Sequence, residues 1–466
     1  MALLTATALS AGCVSSVDGD GRPSARDVAA PGGSDADPGG CPSRRAEPPA
    51  DRPRIDLDFD LRPDGRSVDG TERVEFGPDI ATDRLVFRLT ANQPSSAESG
   101  NGIEVGRVRG DDVAGVEYES AGAAPDSQGG LLVVRLDRSM EPGDSTEVTI
   151  DFELRLGTAT FDRFGSGDGL AWWGSGHPLL AWEPGIGWSG QPLVPTVGET
   201  AASPAADTTV TVRAPAGRSV FMTGGAELVD TDGATALWRS REAAARDVAV
   251  AVGDLEVAAG QVGGTRLSVG APTRDAAEAL LAHAGAAIDE LSTYFGPYPY
   301  PTLSMAELGN YGGGVEYPSM ILLADASDLV LVHEIAHMWF YGMVGDDQGR
   351  DPWLDESFAT YAEQLVRGLP ADVSHAADAL RSPLAVGSPI GEFASGAAYF
   401  ATVYDKGAAM LVVARARAGA EPFDAALRCY LDANAWQIAT PEDVREALAG
   451  LPGALSVLQQ AGALPS

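Results

Sequence analysis

His333 and His337 stand four residues apart with Glu334 between them, in a stretch where Val330, Leu331, Ile335, Ala336, Trp339 and Phe340 form an apolar stripe. That stripe predicts a buried helix, and on a helix residues four apart lie one above the other, so both imidazoles face one point. Two nitrogens converging in an apolar setting suit a divalent ion. Zinc takes imidazole nitrogen at about 2.0–2.1 Å and, in reactive sites, uses three protein ligands and keeps one position open. With five histidines in 466 residues, this pattern is expected by chance roughly 0.003 times. The competing reading is a pair of structural helix histidines beside a surface glutamate.

A third ligand is available. Eighteen residues separate His337 from Glu356, and the segment from Gly345 to Asp351 is polar and turn-like. Helix, turn and second helix would return Glu356 to the histidines. One zinc ion per chain on His333, His337 and Glu356, with Glu334 left over as a general base, is the expected centre.

The rest of the chain divides by periodicity. From residue 51 apolar residues alternate, as in Ile55, Leu57, Phe59 and Leu61, with further strand-like runs at Leu85–Phe87, Leu131–Val134, Val148–Leu156, Thr208–Val212 and Arg246–Val257. Strand signals without long helices predict an all-β, sandwich-like domain over 51–262. Its tryptophans Trp172, Trp173, Trp182 and Trp188 fit core packing better than a cleft lining. From residue 263 the period becomes helical. Ala277, Leu280, Leu281, Ala284, Ile288 and Leu291 make one face of a helix over Asp275–Phe295. A catalytic α+β, mostly helical domain is expected over 263–415 and a short helical segment over 416–466.

Residues 1–12 are small and apolar and end in Leu9-Ser10-Ala11-Gly12-Cys13, like the signal segment and lipobox of a bacterial lipoprotein, although no Lys or Arg precedes the run. Acylation at Cys13 would tether the protein to the outer face of a bacterial cell membrane; secretion is the alternative. Residues 13–50, rich in Gly, Pro, Ser and Asp, read as a disordered tether. Cys41 and Cys429 are then two thiols in an oxidising compartment, able to pair or to stay apart. No apolar run is long enough to span a bilayer. The formal charge of −34 excludes nucleic acid as a partner, since phosphate binding needs clustered Lys and Arg. Oligomeric state is not legible.

Two more motifs surround the metal pattern. Val403-Tyr404-Asp405-Lys406-Gly407 follows it and contains the only lysine of the chain; Gly313-Gly314-Val315-Glu316-Tyr317 precedes it on a strand-like segment. Together with Trp353-Leu354-Asp355-Glu356-Ser357-Phe358-Ala359 they make the sequence resemble the aminopeptidase N family of gluzincins. Asp355 stands where that family has Asn, Ser357 where it has Gly, and Tyr317 where it has Asn. The resemblance implies a β-saddle domain followed by a thermolysin-like zinc peptidase domain. It also implies a short form, since 60 residues follow Lys406, where the family has a large C-terminal helical domain.

On residue roles, the resemblance implies that Tyr404 stabilises an oxyanion and that Glu316, with Gly313 and Gly314, binds the free amino terminus of a peptide. The expected activity is removal of N-terminal residues from peptides. The alternatives are a thermolysin-type endopeptidase with the same metal site, a catalytically silent binding or scaffold protein on this fold, and a hydrolase of epoxide lipids, which no residue here supports.

Overall fold

The computed structural model describes residues 41–465 apart from residues 43, 159–162, 195–201, 310–312, 325 and 371. Cys13 and most of the expected tether lie outside the described residues. The first half is all-β apart from single helical turns. A seven-stranded sheet runs, in spatial order, Glu227–Thr231, Thr235–Ala245, Ala206–Pro215, Arg54–Leu61, Ser67–Phe76, Thr146–Arg155, Gly102–Arg109. All its neighbours are antiparallel except Arg54–Leu61 with Ala206–Pro215. The alternation read in the sequence is the burial pattern: Ile55, Leu57, Phe59 and Leu61 point inward and their neighbours to solvent. They meet Leu85, Phe87, Leu132 and Val134 from a four-stranded sheet and Val250 and Trp173 from another, so the layers share one core.

The tryptophans are core. Trp173 packs edge-on against Phe59 at 5.5 Å between ring centres, and Trp182 meets Trp188 at 4.7 Å. Trp172 faces the opposite way, into a cluster with Val315, Tyr317 and Leu322. That cluster fixes the strand carrying Glu316 onto the β domain.

A five-stranded sheet follows, in the order Glu256–Val262, Thr265–Ala271, Thr302–Glu307, Met320–Leu323, Gly314–Tyr317. The boundary expected at 262 falls inside its first hairpin. Glu256–Val262 pairs along its length with Thr265–Ala271, so the strand assigned to the β domain is the outer strand of this sheet. Against the sheet lies α1, Arg274–Phe295, whose entry is capped by the Thr273 hydroxyl accepting from the Ala276 N–H. Its buried face is Ala277, Leu280, Ala284, Ile288, Leu291 and Phe295. Helices α2, Asp328–Ala336, and α3, Glu356–Arg367, come next, then α4, Gly407–Ala418, and α5, Ala420–Ala433. Among the described residues no helix is long and apolar enough to cross a membrane.

The last 51 residues are not a separate appendage. Phe423, Leu427, Tyr430, Val444 and Leu458 belong to the same buried cluster as Trp339 and Phe358 beside the metal motif. Gly345 and Ile438 form a β-bridge that secures the loop between the metal helices. Arg246, fully buried, donates to the carbonyls of Ser203, Gly342, Met343 and Gln437 and so joins the β domain, that loop and the C-terminal segment.

The tether expected through residue 50 stops earlier. Cys41 and Cys429 form a disulfide, the Ala46 N–H donates to the Asp432 carbonyl at 3.0 Å, Trp436 Nε1 donates to the Ala46 carbonyl at 3.1 Å, and Arg45 donates to the Pro297 carbonyl at 2.8 Å. Cys41 and Ala46 are therefore strapped to α5 and its C-terminal neighbour Trp436, and Arg45 to the Pro297 carbonyl. Sequence periodicity missed this because a strap bonded through its backbone needs no apolar repeat.

Candidate metal and catalytic centre

Helix α2 contributes His333 and Glu334. His337 caps its C-terminal end in helical geometry, its N–H still reaching the His333 carbonyl at 3.3 Å. Helix α3 starts with Glu356, after a 3-10 turn over Pro352–Leu354. The stacking of Phe340 on Phe358, 4.7 Å between ring centres, holds the two helices face to face. Nε2 of His333 lies 3.1 Å, and Nε2 of His337 3.5 Å, from the same Glu356 oxygen. All three residues are buried.

These residues fit zinc. Donors about 2.0–2.1 Å from a tetrahedral ion are about 3.3 Å apart, which the two nitrogen–oxygen separations bracket. Both imidazoles are held from behind: His333 Nδ1 by Glu363 at 2.8 Å, and His337 Nδ1 by Asp355, leaving each Nε2 for an ion. Asp355 is itself bonded by Gln348 Nε2 at 2.9 Å. Burial alone would depress the histidines. The surrounding carboxylates, Glu356 and Glu363 at His333 and Asp355 and Glu316 at His337, raise both instead, to about 10 at His333. The same contacts outweigh burial at Glu356 and hold its carboxyl far below the usual range. The pocket is thus built for positive charge.

Glu334 is buried beside this group, and its Oε2 has no protein hydrogen bond. The edge strand Gly314–Tyr317 approaches it so closely that a Cβ on Gly314 would lie 2.6 Å from Glu334 Cγ. Glycine is required there by space. Gly313 is in the left-handed region, φ 94°, where glycine avoids strain. The same strand carries Glu316, buried, and carboxylate oxygens of Glu316 and Glu334 and a nitrogen of His337 lie within 4.8 Å of one another. Burial raises the carboxyls of both Glu316 and Glu334, and the other acids of the site raise them further.

Tyr404 lies in a π-helical turn, Phe400–Lys406, between a one-turn helix, Gly396–Tyr399, and α4. Its ring stacks parallel to the His333 imidazole with centres 5.6 Å apart, and burial together with the nearby Glu356 carboxylate pushes its hydroxyl above the usual tyrosine range. Lys406 is buried, and its ammonium donates to the carbonyls of Ser382 and Leu384. A compact three-proton donor suits two converging carbonyls, whereas a planar guanidinium needs more room.

Every described site residue read from the sequence is thus brought to one place. Sequence reasoning missed Glu363, Gln348 and the role of Asp355. Glu363 carried a usable signal, since seven residues from Glu356 is two helical turns on the same face. Gln348 carried none, because it reaches the site from an irregular loop.

His333, His337 and Glu356, with each histidine backed by a carboxylate, form a group that could hold a zinc ion. Residues 283–458 match the model of the Peptidase family M1 domain. Aminopeptidase M1-B of Oryza sativa subsp. japonica is 29% identical over 189 residues, 34% of this chain and 22% of that protein. Endoplasmic reticulum aminopeptidase 1 of Homo sapiens is 27% identical over 190 residues, 33% of this chain and 20% of that protein. The chain thus matches about a fifth of the length of these curated relatives. A crystal structure of an M1 zinc metallopeptidase from Deinococcus radiodurans shares the fold, with a TM-score of 0.63 and 19% identity over 90% of this chain and 95% of that one.

Proposed function

We propose that this protein is a zinc aminopeptidase that removes residues one at a time from the free N-terminus of peptides. The observation that carries this reading is Glu316, a buried carboxylate beside Glu334 and His337. Buried acids crowded this closely are relieved by an entering cation, and a peptide α-ammonium is one. Held there, it fixes the substrate's register and places the first peptide bond at the centre. One of the structural relatives was crystallised bound to a Tyr-Ser-Ala substrate, which supports peptides as the substrate class.

His333, His337 and Glu356 would hold the zinc ion, whose chemistry is to polarise the scissile carbonyl and acidify water. Glu334 takes the proton of the attacking water as a carbon–oxygen bond forms. It then passes that proton to the amine as the carbon–nitrogen bond breaks. The Tyr404 hydroxyl donates to the developing oxyanion. Asp355 and Glu363 keep the imidazoles in one tautomer and orientation.

Matched peptides with free and acetylated N-termini test this. Cleavage of the free peptide alone, one residue per event, is expected. Internal cleavage of both would make the protein an endopeptidase, and zinc binding without turnover would favour a binding role.

We further propose that the protein is exported and anchored through acylated Cys13. Support comes from the lipobox-like Leu9–Cys13 sequence and from the Cys41–Cys429 disulfide, a bond that persists in oxidising compartments. Labelling with a fatty-acid probe, lost in Cys13→Ser, tests the anchor.

A further inference from the structure

We infer that Ser357 is a positioning residue that couples the metal carboxylate to the oxyanion donor. Its hydroxyl donates to the carbonyl of Val403 at 2.6 Å, inside the protein. Ser357 directly follows Glu356 and Val403 directly precedes Tyr404, so this one bond links the backbones that set the two groups. The receiving segment is the π-helical turn Phe400–Lys406. A π turn holds an extra residue relative to the α ladder and changes the direction of the side chains that follow, an arrangement frequent at functional sites. Such a turn is held by its surroundings rather than by its own propensity, and the Ser357 hydroxyl is one of its outside anchors.

A second observation is independent of that bond. A Cβ on Gly407 would lie 2.0 Å from Ser357 Oγ. The residue that follows the π turn and starts α4 has no side chain where the hydroxyl sits, so helices α3 and α4 close around it. The bond is short and buried, and both ends are fixed by helices that meet face to face. Without it the Val403 carbonyl loses a donor in a buried place, and the turn is free to relax toward the α register, moving Tyr404 off the parallel stack with His333.

The inference rests on the aminopeptidase reading for its kinetic consequence but not for its structural one, and two measurements separate them. On metal-free protein, amide hydrogen exchange across residues 400–407 is expected to be about tenfold faster in Ser357→Ala than in the parent; equal rates would overturn the clamp whatever the protein cleaves. On zinc-loaded protein with a free-N-terminus peptide, Ser357→Ala is expected to lower kcat about tenfold with KM within about twofold. That is a fraction of the ~10²–10³ that loss of an oxyanion donor costs. The loss should shrink below about twofold when both chains also carry Tyr404→Phe. The same loss in both backgrounds would make Ser357 merely structural, and a tenfold fall in zinc affinity would assign it to Glu356 instead; either result overturns the proposal. Should Ser357→Ala fail to fold, Gly407→Ala pushes the hydroxyl away from the other side and is read by the same exchange measurement.

Discussion

Glu363 accepts a hydrogen bond from His333 Nδ1 at 2.8 Å, and it does so from the helix whose first residue, Glu356, faces the other nitrogen of the same ring. One imidazole is therefore gripped at both ends by carboxylates two turns apart on α3. The outer carboxylate sets the tautomer and raises the basicity of the nitrogen that meets the ion.

Removing that outer carboxylate tests its contribution. Glu363→Gln should weaken zinc binding about 10–100-fold, the usual range for groups that orient a ligating histidine. Competition with a fluorescent chelator measures this, and an affinity unchanged from the parent would show that α3 packing alone orients His333.

Gly314 gives a test of space. Gly314→Ala places a methyl 2.6 Å from Glu334 Cγ, so the carboxylate or the edge strand must shift. A displacement near 1 Å costs on the order of 10²-fold in turnover, while zinc content should stay at one per chain. Full turnover by the variant would mean that Glu334 has another workable position.

Glu242 predicts a pH dependence of stability that is remote from the metal. It is buried, and burial raises its carboxyl to about 7. A folded value above the unfolded one means that the folded state holds the proton longer. Its stabilising contribution is complete below about 4.5 and is lost as pH rises through about 7. The loss is on the order of 3 kcal/mol. Glu242→Gln keeps the shape without the titration. The thermal midpoint of the variant should therefore rise relative to the parent between pH 5 and pH 8. A pH-independent difference would contradict this.

The strap anchored by Cys41, Arg45 and Ala46 should be a local unit. Cys429→Ser, or reduction, removes its covalent end and leaves a few hydrogen bonds to α5 and Pro297. Trypsin should then cut after Arg44 or Arg45 at least tenfold faster than in the oxidised parent. The catalytic core should stay folded, because its buried cluster does not include the strap. Equal cleavage with and without the disulfide would show that the hydrogen bonds suffice.

Much of this was legible in the sequence because it is local. Period-two alternation in Arg54–Leu61 became a half-buried strand, and the apolar face of Asp275–Phe295 became α1, one residue longer than read. The His333, His337 and Glu356 spacing carried the metal site because a helix, a turn and a helix leave little freedom over eighteen residues. The carbonyl bonds of Lys406 give a reason why the only lysine of the chain sits there.

What pattern could not supply was contact between distant segments through backbone or small polar groups. The Ala46 bonds of the strap, the β-bridge from Gly345 to Ile438 and the carbonyls that Arg246 joins all use backbone groups, which carry no mark of residue type. Of these contacts only the disulfide was flagged in advance, by its two cysteines. The donor set and the order of the layers follow from residues close along the chain, where hydrophobic period and ligand chemistry are read directly. That Glu363, Asp355 and Gln348 stand behind those donors, that Glu316 and Glu334 crowd together, and that Tyr404 sits in a π turn are outcomes of packing. Those relations depend on which surfaces the packed helices bring within hydrogen-bond distance.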